Sequence, residues 1–223
     1  MKNIIIAIDG PAGSGKSTSA KIVAETLGYI YIDTGAMYRA VTLACIESGV
    51  NVNDEEVAKL TNEIKIELKQ SERGQLTLLN GRDVSSEIRR PDVTKLVSPI
   101  SAMSFVREKM VEQQREMGAN GAVVMDGRDI GTVVFPDADL KIFLVASIRA
   151  RAERRLKELQ EKGFDSTVEE IMQQIEERDK YDSSREISPL RKADDAIEID
   201  TTNISISEQT SMIINLANIK IKE

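Results

Sequence analysis

One stretch near the start of the chain, IIIAIDGPAGSGKST (residues 4–18), restricts the possible folds more than any other. Ile4, Ile5, Ile6, Ala7 and Ile8 form a short apolar run with no polar break, which suits a strand covered on both faces. Gly10, Pro11, Ala12, Gly13, Ser14, Gly15, Lys16 and Ser17 then fill the pattern GxxxxGK[ST]. Glycines open backbone conformations closed to other residues, so successive N–H groups can turn inward around a phosphate. A helix beginning near Lys16 adds the positive end of its dipole. In such a loop the lysine reaches the β and γ phosphates of a nucleoside triphosphate and the Ser17 hydroxyl ligates Mg2+. Residues 10–18, through Thr18, are therefore the expected triphosphate-binding stretch. A chance match is the alternative, and the strand before and helix after the loop argue against it.

The rest of the chain extends the same alternation. Ala20, Val23, Ala24 and Leu27 recur at helical spacing up to Gly28, YIYID (29–33) reads as a second strand, and Thr34-Gly35 opens a helix towards Gly49. AVVMD (122–126), LKIFLVA (140–146) and AIEID (196–200) read as further central strands. The predicted fold is α/β, a P-loop parallel five-stranded sheet flanked by helices. Residues 64–84 break the rhythm by alternating polar and apolar positions, and Asn80-Gly81 is a hairpin signal, so an antiparallel insertion is expected there. Residues 149–185 hold two charged helical stretches. Ala152, Leu156 and Leu159 give the first a narrow apolar stripe, which places it outside the core. Arg151, Arg154 and Arg155 crowd this stretch, and their mutual repulsion is expected to hold it open until phosphates arrive.

Composition removes several function classes. With 30 Lys and Arg against 37 Asp and Glu, the charge of -7 argues against a general nucleic-acid binder. Histidine is absent, which excludes an imidazole base and a His-ligated metal. The single cysteine, Cys45, lies in the apolar run AVTLACI and reads as a buried structural thiol. The apolar run at the N-terminus is too short to span a membrane and lacks a cleavage region, so a cytoplasmic protein without membrane association is expected. Nothing calls for an obligate oligomer, and a monomer is expected.

A phosphate loop serves switches, motors and kinases alike, so the second half of the site decides. No N-K-x-D base-reading motif of a guanine-nucleotide switch is present. Arginines instead stand at predicted element ends: Arg39 after DTGAMY, Arg107 in SFVRE, Arg128 in DGRD, and seven more between positions 149 and 191. Two anionic substrates repel each other, and the transferring phosphoryl group spreads charge over its oxygens. Guanidinium forks answer both problems, and no strong base is required. Asp126, ending a predicted strand, stands where a Walker-B-type carboxylate would reach the Mg2+ shell.

IDGPAGSGKST, DTGAMYRA, DGRDIGTVVFPDADLKIFL, LQEKGF and ERDKYDSSR…PL together resemble the bacterial-type cytidylate kinases of the nucleoside monophosphate kinase group, nearly end to end. The resemblance implies ATP-dependent, Mg2+-assisted phosphorylation of CMP and dCMP. It implies a core of residues 1–63, 102–148 and 186–223, a monophosphate-binding insertion at 64–101 and a mobile lid at 149–185. Carried over by position, Thr34, Tyr38 and Arg39 line the monophosphate pocket, and Ser98, Arg107 and Asp129 read the cytosine edge. Arg128, Arg178 and Arg185 hold phosphates and, with Lys16, form the catalytic set, while Asp182 takes the sugar hydroxyls. The base assignment also suits cytosine, whose N4 amino donor and N3 and O2 acceptors match a carboxylate beside an arginine. A P-loop kinase acting on UMP or AMP, and a nucleotide-dependent switch, are the competing readings.

Overall fold

A computed structural model of the chain describes residues 2–71, 74–161, 163 and 165–223. The elements run β1 (Ile5–Asp9), α1 (Lys16–Leu27), β2 (Ile30–Asp33), α2 (Thr34–Ser48), α3 (Asp54–Glu63), β3 (Ile66–Ser71), β4 (Gly74–Leu79), β5 (Arg82–Asp83), α4 (Pro91–Ala102), α5 (Ser104–Gly118), β6 (Val123–Gly127), β7 (Leu140–Val145), α6 (Ile148–Gln160), α7 (Val168–Ser184), β8 (Ile197–Asp200) and α8 (Ile206–Lys222). A 3-10 turn at Glu87–Arg89 precedes α4, and a π-type turn at Ile130–Val134 follows β6. Lys162 and Phe164 of the LQEKGF stretch lie outside the described residues.

The main sheet has the order β2-β6-β1-β7-β8, with every pairing parallel. The unbroken apolar run of β1 has its cause here. Ile6 and Ile8 pack with Val23, Ile142 and Ile213 on the side of α1 and α8, while Ala7 packs with Ile32, Met125 and Val111 on the side of α5. A central strand covered on both faces cannot carry the alternation of a half-exposed one. Parallel strands all end on one edge, so Asp9, Asp33 and Asp126 come side by side: Asp33 pairs with Asp126 across β2 and β6, and Asp126 pairs with Ile8 across β6 and β1.

The antiparallel insertion is present as the separate sheet β3-β4-β5. Asn80 (φ 50°) and Gly81 (φ 82°) form the turn between β4 and β5, the left-handed pair that a two-residue hairpin needs. Two glutamines of this hairpin reach the open edge of the main sheet. Gln70 and Gln75 both donate to the Tyr31 carbonyl, and Gln75 accepts from the Asp33 N–H at 3.0 Å. Two outward backbone groups of edge strand β2, the Tyr31 carbonyl and the Asp33 N–H, are thus bonded rather than left open to another chain. Helices α4 and α5 went unread in the sequence, although Val93, Val97 and Ile100 bury one face of α4 against α2. Cys45 is buried in α2, and burial pushes its thiol up to about 11. Among the described residues no helix is long and apolar enough to cross a membrane.

Candidate active site

The chain leaves β1 at Asp9 and turns through residues 10–15 into α1. Gly10 has φ 147°, and a Cβ there would lie 2.2 Å from the Leu144 carbonyl oxygen on β7. Gly13 has φ 76°, and its Cβ would meet that of Arg151 at 3.0 Å. The loop therefore runs too close to β7 and α6 to carry side chains at these two points. No side chain caps the first turn of α1, which leaves its amides free for an anion. Ser14 is fully buried, and its hydroxyl makes no hydrogen bond.

Lys16 folds back over the loop, and its Nζ donates to the Pro11 carbonyl at 2.9 Å. Burial first, and the Arg128 charge second, bring its ammonium down to about 7. Ser17 donates to Oδ2 of Asp126 at 2.7 Å, and the Tyr31 hydroxyl donates to Oδ1 at 2.8 Å. Burial, then the neighbouring Asp33, push the Asp126 carboxyl up to about 6. Thr34, at the start of α2, donates from Oγ1 to the Asp126 backbone carbonyl at 2.7 Å.

Opposite the loop lies a convergence of arginines. Arg128 Nε donates to Asp182 Oδ2 at 3.1 Å, Arg185 Nε donates to the Asp182 carbonyl at 3.2 Å, and Arg178 Nε stands 3.8 Å from the same carboxylate. Arg178 Nε and Arg185 Nη2 are buried without a hydrogen-bond partner, so the group holds unused donors. Burial lowers the Arg178 guanidinium to about 10 and that of Arg39 to about 9. Arg39 donates to Thr94 Oγ1 at 2.9 Å and to the Ile88 carbonyl at 3.3 Å, which fixes it between α2 and α4.

Beyond the arginines, Arg107 and Asp129 form an ion pair with both side chains at most 5% exposed. The Arg107 guanidinium lies 5.4 Å from the Tyr38 ring centroid and donates to the Ser101 carbonyl at 3.2 Å. Ser98 joins more loosely: its carbonyl accepts from the Ser101 hydroxyl at 3.0 Å. The sequence-predicted residues thus gather at one sheet edge, the loop residues on one side and the arginines with Arg107–Asp129 on the other.

Two groups escaped the sequence reading, and one expectation is overturned. Asp9 is buried and accepts from the Ile130 and Gly131 amides at 2.9 and 2.8 Å, which holds the segment carrying Arg128 and Asp129 against the end of β1. An Asp placed immediately before the glycine loop was the available signal. Tyr31 could be found only from strand order, since its role depends on β2 lying beside β6. Arg151 and Arg154 overturn the expected repulsion. Arg151 is buried and paired with Asp179 at 2.7 Å, Arg154 donates to Thr201 Oγ1 at 3.1 Å, and Arg155 pairs with Glu158 at 2.9 Å. Arg151 and Arg155 each face a carboxylate and Arg154 is held by Thr201, so the three charges do not simply repel one another.

Two solved structures share the architecture at 15% identity. One is an uncharacterized protein from Eubacterium ventriosum (TM-score 0.51, covering 96% of this chain and 98% of that one). The other is a gluconokinase from Sinorhizobium meliloti (TM-score 0.50, 98% and 94%). A cytidylate kinase of Bacillus cereus is 54% identical over 218 residues, 97% of this chain and 97% of its own. A cytidylate kinase of Bacillus anthracis is 54% identical over 216 residues, 96% of each. Residues 6–219 match the family described as cytidylate kinase. With a family match over nearly the whole length and relatives this similar, the chain belongs to the cytidylate kinase family of phosphoryl-transferring enzymes.

Proposed function

We propose that this chain transfers the γ-phosphoryl group of ATP directly to CMP and dCMP, forming ADP with CDP or dCDP. The observation that carries this reading is the buried Arg107–Asp129 pair beside an arginine cluster with unused donors, across from a loop built for a triphosphate. An acidic acceptor and a basic donor, already aligned, match the N4 amino group and the N3 and O2 acceptors of cytosine. Uracil presents the opposite pattern at position 4 and would face the Asp129 carboxylate with an oxygen.

In the transfer, an oxygen of the CMP phosphate attacks the γ-phosphorus and the bond from the β–γ bridging oxygen to that phosphorus breaks. Residues 10–18 hold the donor phosphates, with Lys16 bridging β and γ. Arg39 with Thr34 and Tyr38 seats the acceptor phosphate, and Asp182 takes the sugar hydroxyls. Arg128, Arg178 and Arg185 gather round the transferring group and stabilise the charge on its oxygens. The Ser17 hydroxyl and the Asp126 carboxylate, 2.7 Å apart, are hard oxygen ligands of the kind Mg2+ takes beside phosphate oxygens. Held there, Mg2+ would neutralise negative charge on the phosphate oxygens. Residues 64–101 act as the monophosphate-binding insertion and residues 149–185 as the lid on a core of 1–63, 102–148 and 186–223. The enzyme works as a monomer in the cytoplasm.

The deciding experiment is coupled ADP release with CMP, dCMP, UMP and AMP as acceptors. CMP and dCMP should be used far better than UMP or AMP. A preference for UMP or AMP, or slow hydrolysis indifferent to the acceptor, would replace this reading.

A further inference from the structure

A loop that turns its N–H groups towards a phosphate turns its carbonyls the other way. Three consecutive carbonyls of the loop meet donors on that far side. Ala12 accepts from Arg151 Nη1 at 3.2 Å, Gly13 from Arg154 Nη1 at 3.4 Å, and Ser14 from Thr201 Oγ1 at 3.2 Å. The donors are themselves braced. Arg151 is only 4% exposed, and it also donates to the Ala146 carbonyl at 3.1 Å and pairs with Asp179 of α7 at 2.7 Å. Arg154 donates to both the hydroxyl and the carbonyl of Thr201, which is buried just beyond β8.

We propose that Arg151 and Arg154 are positioning residues for the donor phosphates, acting through the loop backbone from behind. Two physical effects support this role. Each carbonyl belongs to the same peptide group as the next N–H, so a guanidinium on the Ala12 or Gly13 carbonyl polarises the Gly13 or Ser14 amide as a donor. The same bonds fix the loop so that its amides need no reorganisation when phosphate arrives. Arg154, bonded to the Gly13 carbonyl and to Thr201, also adds positive potential behind the anion site without touching the anion, while the Arg151 charge is matched by Asp179. A lysine cannot replace Arg151, because one ammonium cannot serve the Ala12 and Ala146 carbonyls and the Asp179 carboxylate in the fork geometry. The inference rests on the reading that residues 10–18 hold the ATP phosphates.

The test compares Arg151→Lys, Arg154→Gln and Lys16→Ala with the parent, measuring Mg-ATP and CMP affinity by calorimetry together with kcat. Both arginine variants should weaken Mg-ATP binding about tenfold or more and lower kcat, the scale of a lost charge-assisted contact, with CMP affinity within about twofold. Unchanged Mg-ATP affinity in the folded variants overturns the proposal. Equal weakening of ATP and CMP does so too, because a merely structural role would loosen both sites. If Arg151→Lys does not fold, the half-buried Arg154 carries the decision alone. Should Lys16→Ala bind and turn over Mg-ATP normally, the loop reading itself fails. A damaged Lys16→Ala beside intact arginine variants removes only the present proposal.

Discussion

Lys16 shows how a single side chain can be tuned by its surroundings before any ligand is present. Its ammonium is buried under the loop and faces Arg128 and Arg178, which lower it, against Asp126 and Asp9, which raise it; the balance lies near 7. Burial therefore favours the neutral amine in the free enzyme far more than it is favoured in water. Bound triphosphate supplies the opposite charge that burial denies it, so the group regains its proton. Mg-ATP binding at pH 8 should take up protons, seen as a binding enthalpy that varies with the ionisation enthalpy of the buffer, and Lys16→Ala should reduce that dependence. The same variant should lower kcat by about a hundredfold or more, the scale of a lost preorganised charge. Asp129 answers to a different readout. Truncating it leaves Arg107 buried without its carboxylate, and Asp129→Ala should cut the CMP-over-UMP preference by about 1–3 kcal/mol. A variant that slows CMP and UMP alike would deny Asp129 a part in base choice.

Among elements, β1 and the segment after β6 are coupled in a way the linear sequence conceals. Asp9 closes the strand that leads into the phosphate loop, while its carboxylate holds the amides of Ile130 and Gly131, directly after Arg128 and Asp129. One side chain thus ties the end of β1, where the glycine loop begins, to the segment that follows Arg128 and Asp129. Asparagine keeps one acceptor oxygen and turns an NH2 towards the second amide, so one bond is lost. In Asp9→Asn the exchange of the Ile130 or Gly131 amide should accelerate about tenfold, the equivalent of one net hydrogen bond. Unaltered protection at both amides would mean that other contacts position the segment. What was legible at this scale follows from periodicity: β1, the Asn80-Gly81 turn and the α1 boundary at Gly28 each carry a local signal. Tyr31 carries none, and Asp9 offers only its place before the glycine loop, because each acts across strands that only the sheet order brings together.

For the molecule as a whole, the same distinction separates the sheet from residues 149–185. The parallel core could be read because each of its strands is an apolar run bounded by turn residues. The standing of residues 149–185 could not, because it depends on which charges meet. Their apolar side chains do form a cluster apart from the main core, where Ala152 packs with Ile171 and Ile175 between α6 and α7. Yet the root of α6 is pinned to the phosphate loop through Arg151, and α7 returns to the site at Asp182, where Arg128 meets it. A hinged lid built this way would move at its outer turns while its base stays bonded, and closing it would draw Arg178 and Arg185 onto the phosphates and remove water that competes with CMP for the phosphoryl group. Since neither nucleotide alone supplies both faces to close upon, ATP and CMP together should protect amides of the outer turns of α6 and α7 from hydrogen exchange more than either ligand does. Amides beside Arg151 should be protected already in the free enzyme. Equal exchange across the segment with and without nucleotides would make these helices a static, solvated pair, and the exclusion of water would have to come from the insertion at 64–101 instead.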